Sequence, residues 1–283
     1  MMFKNILVYL YNKKFFRRII PSLLRKCYFL FNNKSIDIEN FKLRLNLKNS
    51  LDRKIFLENS FEKDQINFIK KNINDVNFDY FLDIGAYIGY YTLYFSKFPN
   101  IKKIISIEAN KINYDSLLKN ISLNKLNNVI THNLACSDTN GEAKLWYSDP
   151  NKMGGSSVLN TNDYELNKYD SNSNLDQDHL KKHYNKSYKN YKKSKENFFY
   201  QNINCKKLDD IFNAINKNLL IKIDVERHEI FVLKGAEKML NNNKIFLQIE
   251  IFPELFNDIN NFLISRNFKL VNNIGWDYYF INY

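Results

Sequence analysis

Cysteine, histidine, glycine and proline are all scarce in this chain of 283 residues. Its three cysteines, Cys27, Cys136 and Cys205, are far apart and form no Cys-x-x-Cys pair, and there are only four histidines. That spacing argues against a disulfide framework and a zinc module, and makes a reducing, cytoplasmic setting the expectation. No run approaches the ~18–20 uninterrupted apolar residues of a membrane-spanning helix. Seven glycines and four prolines, beside abundant Asn, Lys and Ile, suggest an AT-rich coding genome that raises Lys for reasons unrelated to function. Acid is missing from two segments. Residues 1–34 hold eight Lys and Arg and no Asp or Glu, and residues 181–195 hold seven Lys and no acid. These segments carry +8 and +7 against a total of +12, which leaves −3 for everything else. The charge that would suggest nucleic acid is therefore confined to two appendages.

Apolar residues are plentiful. They make up 45% of the chain and aromatics 16%, enough for a buried core, so global disorder is excluded. Within residues 1–50 the basic side chains alternate with Ile6, Leu7, Leu10, Phe15, Ile19, Leu23 and Leu24 at roughly helical spacing. This predicts a basic amphipathic helical N-terminal segment. Either it lies on an anionic membrane surface, on the inner face of the membrane, or it caps the following domain. Charge interrupts it too often for a signal peptide.

Residues 51–283 read as one domain. Ser60 is placed to cap a helix over Phe61–Ile73. Short apolar strands then alternate with helices: Tyr80–Ile84, Lys103–Ile107, Val129–Leu134, Leu219–Ile223 and Lys244–Phe252. One helix is expected after Asp224, with Ile230, Leu233 and Leu240 on one face. Two aromatic-rich strands, Phe268–Asn272 and Asp277–Tyr283, close the chain as an antiparallel pair. The pattern predicts an α/β fold with a mostly parallel sheet covered on both faces. A Lys/Tyr/Asn-rich insertion at about 150–202 breaks the alternation. It is expected to act as a lid or acceptor-binding loop, with Tyr164, Tyr169, Tyr184, Tyr188 and Tyr191 available for stacking.

Chemistry concentrates at strand ends, where open α/β sheets bind ligands. In FLDIGAYIGYYT (Phe81–Thr92), Gly85 allows a tight exit from the strand and close approach of backbone to a ligand, and Gly89 allows close helix packing. Strand-end Asp83 would repel a diphosphate, and the Gly-x-Gly-x-x-Gly turn of dinucleotide sites is missing. An acid here suits a ligand with an ammonium or sulfonium. Glu108, ending the second strand, stands where a carboxylate accepts hydrogen bonds from ribose hydroxyls. The run IKIDVERHEIFVLKGAEKML (Ile221–Leu240) brings Asp224, Glu226, His228 and Glu229 to the fourth strand's end.

Together Asp83-Ile84-Gly85-Ala86, Glu108-Ala109, Ala135-Cys136-Ser137-Asp138, Gly155-Ser156-Ser157, Leu208-Asp209-Asp210 and Ile221–Leu240 resemble the FkbM family of S-adenosylmethionine-dependent methyltransferases. The resemblance covers about residues 83–250. It implies a class I methyltransferase, Rossmann-like fold: a seven-stranded, mostly parallel sheet with an antiparallel last strand. It also implies S-adenosylmethionine as cofactor and O-methylation of a hydroxyl, with a sugar in a bacterial surface glycan or glycolipid as acceptor. Carried over by position, Asp83, Gly85, Ala86, Tyr87 and Gly89 line the methionine end, Glu108 and Ala109 hold the ribose, and Asn133, Ala135 and Asp138 belong to the adenine loop. Two positions depart from the family. Tyr87 stands where Asn is frequent. Arg227 replaces the Gly of Asp-Val-Glu-Gly-His-Glu, which questions the tight turn there or supplies a cation near the acceptor.

A hydroxyl must lose its proton as it is methylated, so a general base is expected among His228, Asp224 and Glu226. His228 is preferred because imidazole is already neutral at pH 7. Nothing in the sequence requires a metal. The rival readings are an RNA or other nucleic-acid methyltransferase, which the basic segments favour, and a non-catalytic methyltransferase-like interaction protein, which Arg227 favours. Nucleic acid is the disfavoured partner, since the Asn/Asp-Pro-Pro-Tyr type of motif is missing.

Overall fold

The computed structural model describes residues 2–30, 35–147, 158 and 199–283. Helices α1 (Met2–Tyr11) and α2 (Ile19–Lys26) follow the helical spacing of the N-terminal segment. Residues 35–44 depart from it. Strands β1 (Ser35–Ile38) and β2 (Phe41–Arg44) form an antiparallel hairpin. The reason is a local change of period, because buried Phe41 and Leu43 alternate with exposed Lys42 and Arg44. The free edge of β2 is closed by two asparagines. Asn120 Oδ1 accepts from Arg44 N at 2.8 Å, and Asn124 bonds both N and O of Lys42. Helix α3 (Ser50–Glu58) is capped by Asn49, whose Oδ1 accepts from Leu51 N at 2.8 Å.

Helix α4 (Lys63–Ile73) begins later than the expected Phe61, and Ser60 does not cap it. Ser60 Oγ donates instead to Glu58 O, while Glu62 adopts a left-handed φ of 45° at the helix start. The alternation then proceeds through β3 (Phe78–Ile84), α5 (Tyr90–Phe95), β4 (Ile101–Ile107), α6 (Lys111–Leu123) and β5 (Val129–His132). A separate three-stranded sheet follows: β6 (Ala135–Cys136), β7 (Gly141–Tyr147) and β8 (Phe199–Lys206). The start of β8 falls inside the stretch read as an insertion, because its few aliphatic residues conceal a strand. The lid expectation, Gly155-Ser156-Ser157 and the five tyrosines lie outside the described residues.

Next come α7 (Leu208–Ile211), β9 (Asn218–Ile223), α8 (Glu229–Lys234) and α9 (Glu237–Asn242). The single helix expected after Asp224 is thus two. Gly235 ends the first, and a Cβ there would sit 1.9 Å from Ser137 O, so the chain bends where it meets that loop. Strand β10 (Lys244–Glu250), α10 (Phe256–Ile264), β11 (Lys269–Ile274) and β12 (Asp277–Ile281) complete the fold.

The central sheet has seven strands in the order β11-β12-β10-β9-β3-β4-β5. β3, β4, β5, β9 and β10 are mutually parallel, and β12 runs antiparallel to both its neighbours. This is the class I methyltransferase arrangement with its reversed last strand. Alternation along each strand feeds two cores. Leu82, Ile84, Ile221 and Leu247 pack under α8, α9 and α10. Phe81, Ile104, Leu220 and Phe246 pack under α4, α5 and the hairpin. Fully burying one such side chain contributes roughly 1.5–3 kcal/mol, so both faces hold the sheet and leave its carboxyl edge open for a site.

Candidate active site

A cavity of about 590 Å³ opens at the carboxyl ends of β3, β4, β9 and β10. That is within the ~300–1,000 Å³ typical of small-molecule sites. Helix α3 contributes Leu51, Lys54 and Ile55 to its wall, and Glu62 and Gln65 come from the start of α4.

The β3–β4 end is organised by backbone. Gly85 N and Ala86 N both donate to Ile107 O, at 2.9 and 3.0 Å, which ties the turn to the neighbouring strand. Gly85 has φ +81°, and a Cβ added there would lie 1.8 Å from Asp224 O, so only glycine lets β3 and β9 exit side by side. Glu108 is buried. Its Oε2 accepts from Tyr87 N at 2.9 Å and its Oε1 from Asn110 N at 2.8 Å. Burial, opposed by those bonds, raises its pKa to about 7. Asp83 is also buried, and its Oδ2 accepts from Thr92 N and Oγ1 at 3.0 and 2.6 Å. Burial raises its pKa as well. Tyr87 takes a left-handed φ of 52°, a conformation that asparagine adopts more readily than tyrosine. Its hydroxyl compensates by donating to the buried Asp52 Oδ1 at 2.6 Å.

The β9–β10 end is organised by charge. Lys222 Nζ bonds Asp224 Oδ2 at 2.7 Å and lies 4.8 Å from the ring centre of Tyr91. Burial pulls the Lys222 pKa down, but Asp224, Glu62 and Asp83 outweigh it and the net shift is upward. Carboxylate oxygens of Asp224, Glu226 and Glu250 lie within 4.8 Å of one another, a spacing that suits oxygen ligands of a divalent cation. Burial, then Asp224 and Glu229, raise Glu226 to about 8. Burial, then Asp224 and Glu226, raise Glu250 to about 9. Glu62 accepts from Tyr91 Oη at 2.7 Å and is raised to about 7, mainly by burial. Asp277 accepts from Gln248 at 2.7 Å and Gln65 at 3.0 Å.

Arg227 keeps the tight turn. It adopts φ +77° beside Glu226 at +53°, stacks 4.1 Å from the ring centre of Phe252 and pairs with Glu254. His228 lines the cavity but is nine-tenths buried and stacked on Phe231, with Nε2 3.0 Å from Ser137 Oγ. Its Nδ1 has no partner among the described residues. Burial lowers its pKa to about 4.

The cavity brings together Asp83, Gly85, Ala86, Tyr87, Glu108, Ala109, Ala135, Asp224, Glu226 and His228 from the sequence reading. Three of its expected cofactor contacts are placed elsewhere. Gly89 packs against α6, where a Cβ would sit 2.5 Å from Leu117 Cδ1. Asn133 donates through Nδ2 to Glu108 O and Ala109 O and so braces the loop after β4. Asp138 accepts from Ser137 Oγ at 3.2 Å and is not among the cavity's lining residues. Sequence reasoning missed Glu62, Lys222, Glu250 and Asp277. For Lys222 there was a signal: a lysine inside an otherwise apolar strand two residues before Asp224 needs a buried partner.

A family model described as the methyltransferase FkbM domain matches residues 83–270. A tRNA(Phe) (4-demethylwyosine(37)-C(7)) aminocarboxypropyltransferase of Methanocaldococcus jannaschii is 44% identical over 69 residues, 24% of this chain and only 26% of that protein. Among solved structures, an FkbM methyltransferase of Methylobacillus flagellatus is 16% identical over 74% of this chain and 44% of its own, with a TM-score of 0.44. M. jannaschii TYW2 in complex with AdoMet is 16% identical over 87% and 82%, with a TM-score of 0.40.

Proposed function

Because the chain belongs to the FkbM methyltransferase family, we propose that it transfers a methyl group from S-adenosylmethionine to a hydroxyl oxygen, that of a sugar in a bacterial surface glycan or glycolipid. The observation that supports this most directly is one acid-lined cavity shared by the Gly85 turn and the Asp224–Glu226–Glu250 cluster. When bound, the cofactor supplies a methyl carbon activated by its sulfonium. The chain's own part is to bind and orient. The Gly85–Tyr87 turn admits a ligand close to backbone, and Glu108 presents a fixed carboxylate to ribose hydroxyls. The surrounding acids favour a cation, and proximity of donor and acceptor supplies up to ~7–11 kcal/mol in the best cases.

The proton of the acceptor goes to Glu226. A base works best when its pKa is near the operating pH, and Glu226 stands at about 8 whereas His228 stands at about 4. His228 then positions the Ser137 loop rather than taking the proton. Glu226→Gln is expected to lower kcat by roughly 10²–10⁴-fold with little change in cofactor affinity. His228→Ala is expected to lower it less, and the reverse order would return the base to His228.

Calorimetry tests the reading as a whole. S-adenosylmethionine should bind and NAD should not, and Glu108→Gln should weaken binding by roughly 10–100-fold through loss of charge-assisted bonds. Preference for NAD, or no effect of Glu108→Gln, would refute it. RNA as acceptor is favoured by the short match to a tRNA-modifying enzyme. Against it, the cavity is lined by Glu62, Asp224, Glu226, Glu250 and Asp277 with Lys54 and Lys222 as its lysines, so it offers a phosphate backbone little positive charge, and a steep loss of RNA affinity with salt would be its signature.

A further inference from the structure

The N-terminal helices carry a surface that neither the cavity nor the sheet uses. α1 and α2 pack inward through Leu7, Ile20 and Leu24, which join Leu47, Phe56 and Leu57 in a small core of their own. Their outward side, with the turn between them and the residues just after α2, is apolar as well. Ile6, Tyr9, Phe15, Ile19, Leu23 and Phe29 are 43–76% exposed. Seven of the seventeen exposed large hydrophobics among the described residues fall within residues 6–30. Between them stand exposed Lys13, Lys14, Arg17, Arg18, Arg25 and Lys26, and residues 1–34 contain no acid.

We propose that this face docks on an anionic lipid bilayer, with Phe15, Ile19, Leu23 and Phe29 entering the headgroup boundary and the surrounding Lys and Arg meeting lipid phosphates. Each half of the surface has a use there. Apolar side chains on an interfacial helix are buried by the acyl region. Each Lys or Arg near an anionic leaflet strengthens binding by about fivefold. An RNA partner would use the same charges but not the aliphatic Ile6, Ile19 and Leu23, which have neither a ring to stack nor a polar atom to donate.

Docking also orients the cavity. Helix α3 turns Phe56 and Leu57 toward α1 and α2, and gives Leu51, Lys54 and Ile55 to the cavity wall. One helix of ~10–12 Å diameter therefore separates the docking module from the cavity. Resting on the methyltransferase reading, this makes the acceptor a lipid-linked glycan whose sugar is presented at headgroup level.

The test is co-sedimentation with vesicles of phosphatidylcholine alone and of phosphatidylcholine mixed with phosphatidylglycerol. The protein should pellet only with the anionic vesicles and be released by salt. Arg17→Gln/Arg18→Gln should weaken binding by about 25-fold, and Phe15→Ser/Leu23→Ser by at least about tenfold. Both variants change exposed positions, and circular dichroism checks that they fold. No binding, or equal binding by all three proteins, overturns the proposal. So does RNA that displaces the vesicles and depends on the arginines but not on Phe15 and Leu23. S-adenosylmethionine calorimetry on the same samples separates this from the catalytic reading: lost cofactor binding with intact vesicle binding refutes only the latter.

Discussion

The two ends of the cavity hold their carboxylates by opposite means. At the β3–β4 end, Glu108 and Asp83 are satisfied by backbone N–H groups and a threonine hydroxyl. Their geometry is set before any ligand arrives. At the β9–β10 end, Asp224, Glu226 and Glu250 crowd one another beside the buried cation Lys222. There Lys222 offsets part of the repulsion, and burial with the remaining acids still raises Glu226 and Glu250, so a proton is held tightly. The difference teaches that one cavity can hold carboxylates either by complete hydrogen bonding or by mutual crowding around a lysine, and on the proposed function the first end binds and the second reacts.

Gly85 is where the two ends touch, so breaking it should break both. Gly85→Ala combines a left-handed φ with a clash against Asp224 O. It should cost roughly 3 kcal/mol or more of stability, read by denaturant unfolding, and abolish cofactor binding. A variant that folds and binds like the parent would show that the ends are independent.

Proton linkage sharpens the contrast next. Glu226 and Glu250 have folded-state pKa values near 8 and 9, above an ordinary carboxyl value of 4.5. The folded state then holds their protons more tightly than the unfolded one. Their stabilising contribution is full below about pH 4.5 and is lost as pH rises toward 9. The ligand-free protein should lose on the order of a few kcal/mol across that window, and Glu226→Gln/Glu250→Gln should flatten the profile. An unchanged profile in the double variant would place the strain elsewhere.

The smallest effect concerns the turn between the acids. Arg227 adopts a glycine-like φ while its side chain is held by Phe252 and Glu254. Arg227→Ala loses those contacts and keeps the strain. Arg227→Gly loses the contacts and the strain together. The Gly variant should therefore be more stable than the Ala variant by about 1 kcal/mol in thermal or denaturant unfolding. Equal stability would mean that the turn carries no backbone strain.

Much of the fold was legible because strands buried on both faces must be apolar runs, and the runs ending at Asp83, Glu108 and Asp224 stand clearly between helical stretches. Strand-end acids could be read for the same reason, since a carboxylate closing an apolar run has few structural uses. What the sequence left open lies where packing overrides local pattern. Gly89, Asn133 and Asp138 do not line the cavity, because Gly89 packs against Leu117 and Asn133 and Asp138 bond the neighbouring loops instead. Glu62 was hidden because it belongs to a helix start that turns toward Tyr91 instead of being capped by Ser60.

The sequence by itself determined the periodicities, and with them the layers, the mostly parallel sheet and the segregation of positive charge into two appendages. Those properties are local sums over neighbouring residues. Only the tertiary structure decided that Glu62, Lys222, Asp224, Glu226, Glu250 and Asp277 line one cavity, and that burial lowers the pKa of His228 while burial and neighbouring acids raise that of Glu226. Coulomb interactions and desolvation act through space, and no spacing along the chain encodes which distant carboxylates will share a few ångströms of low-dielectric protein.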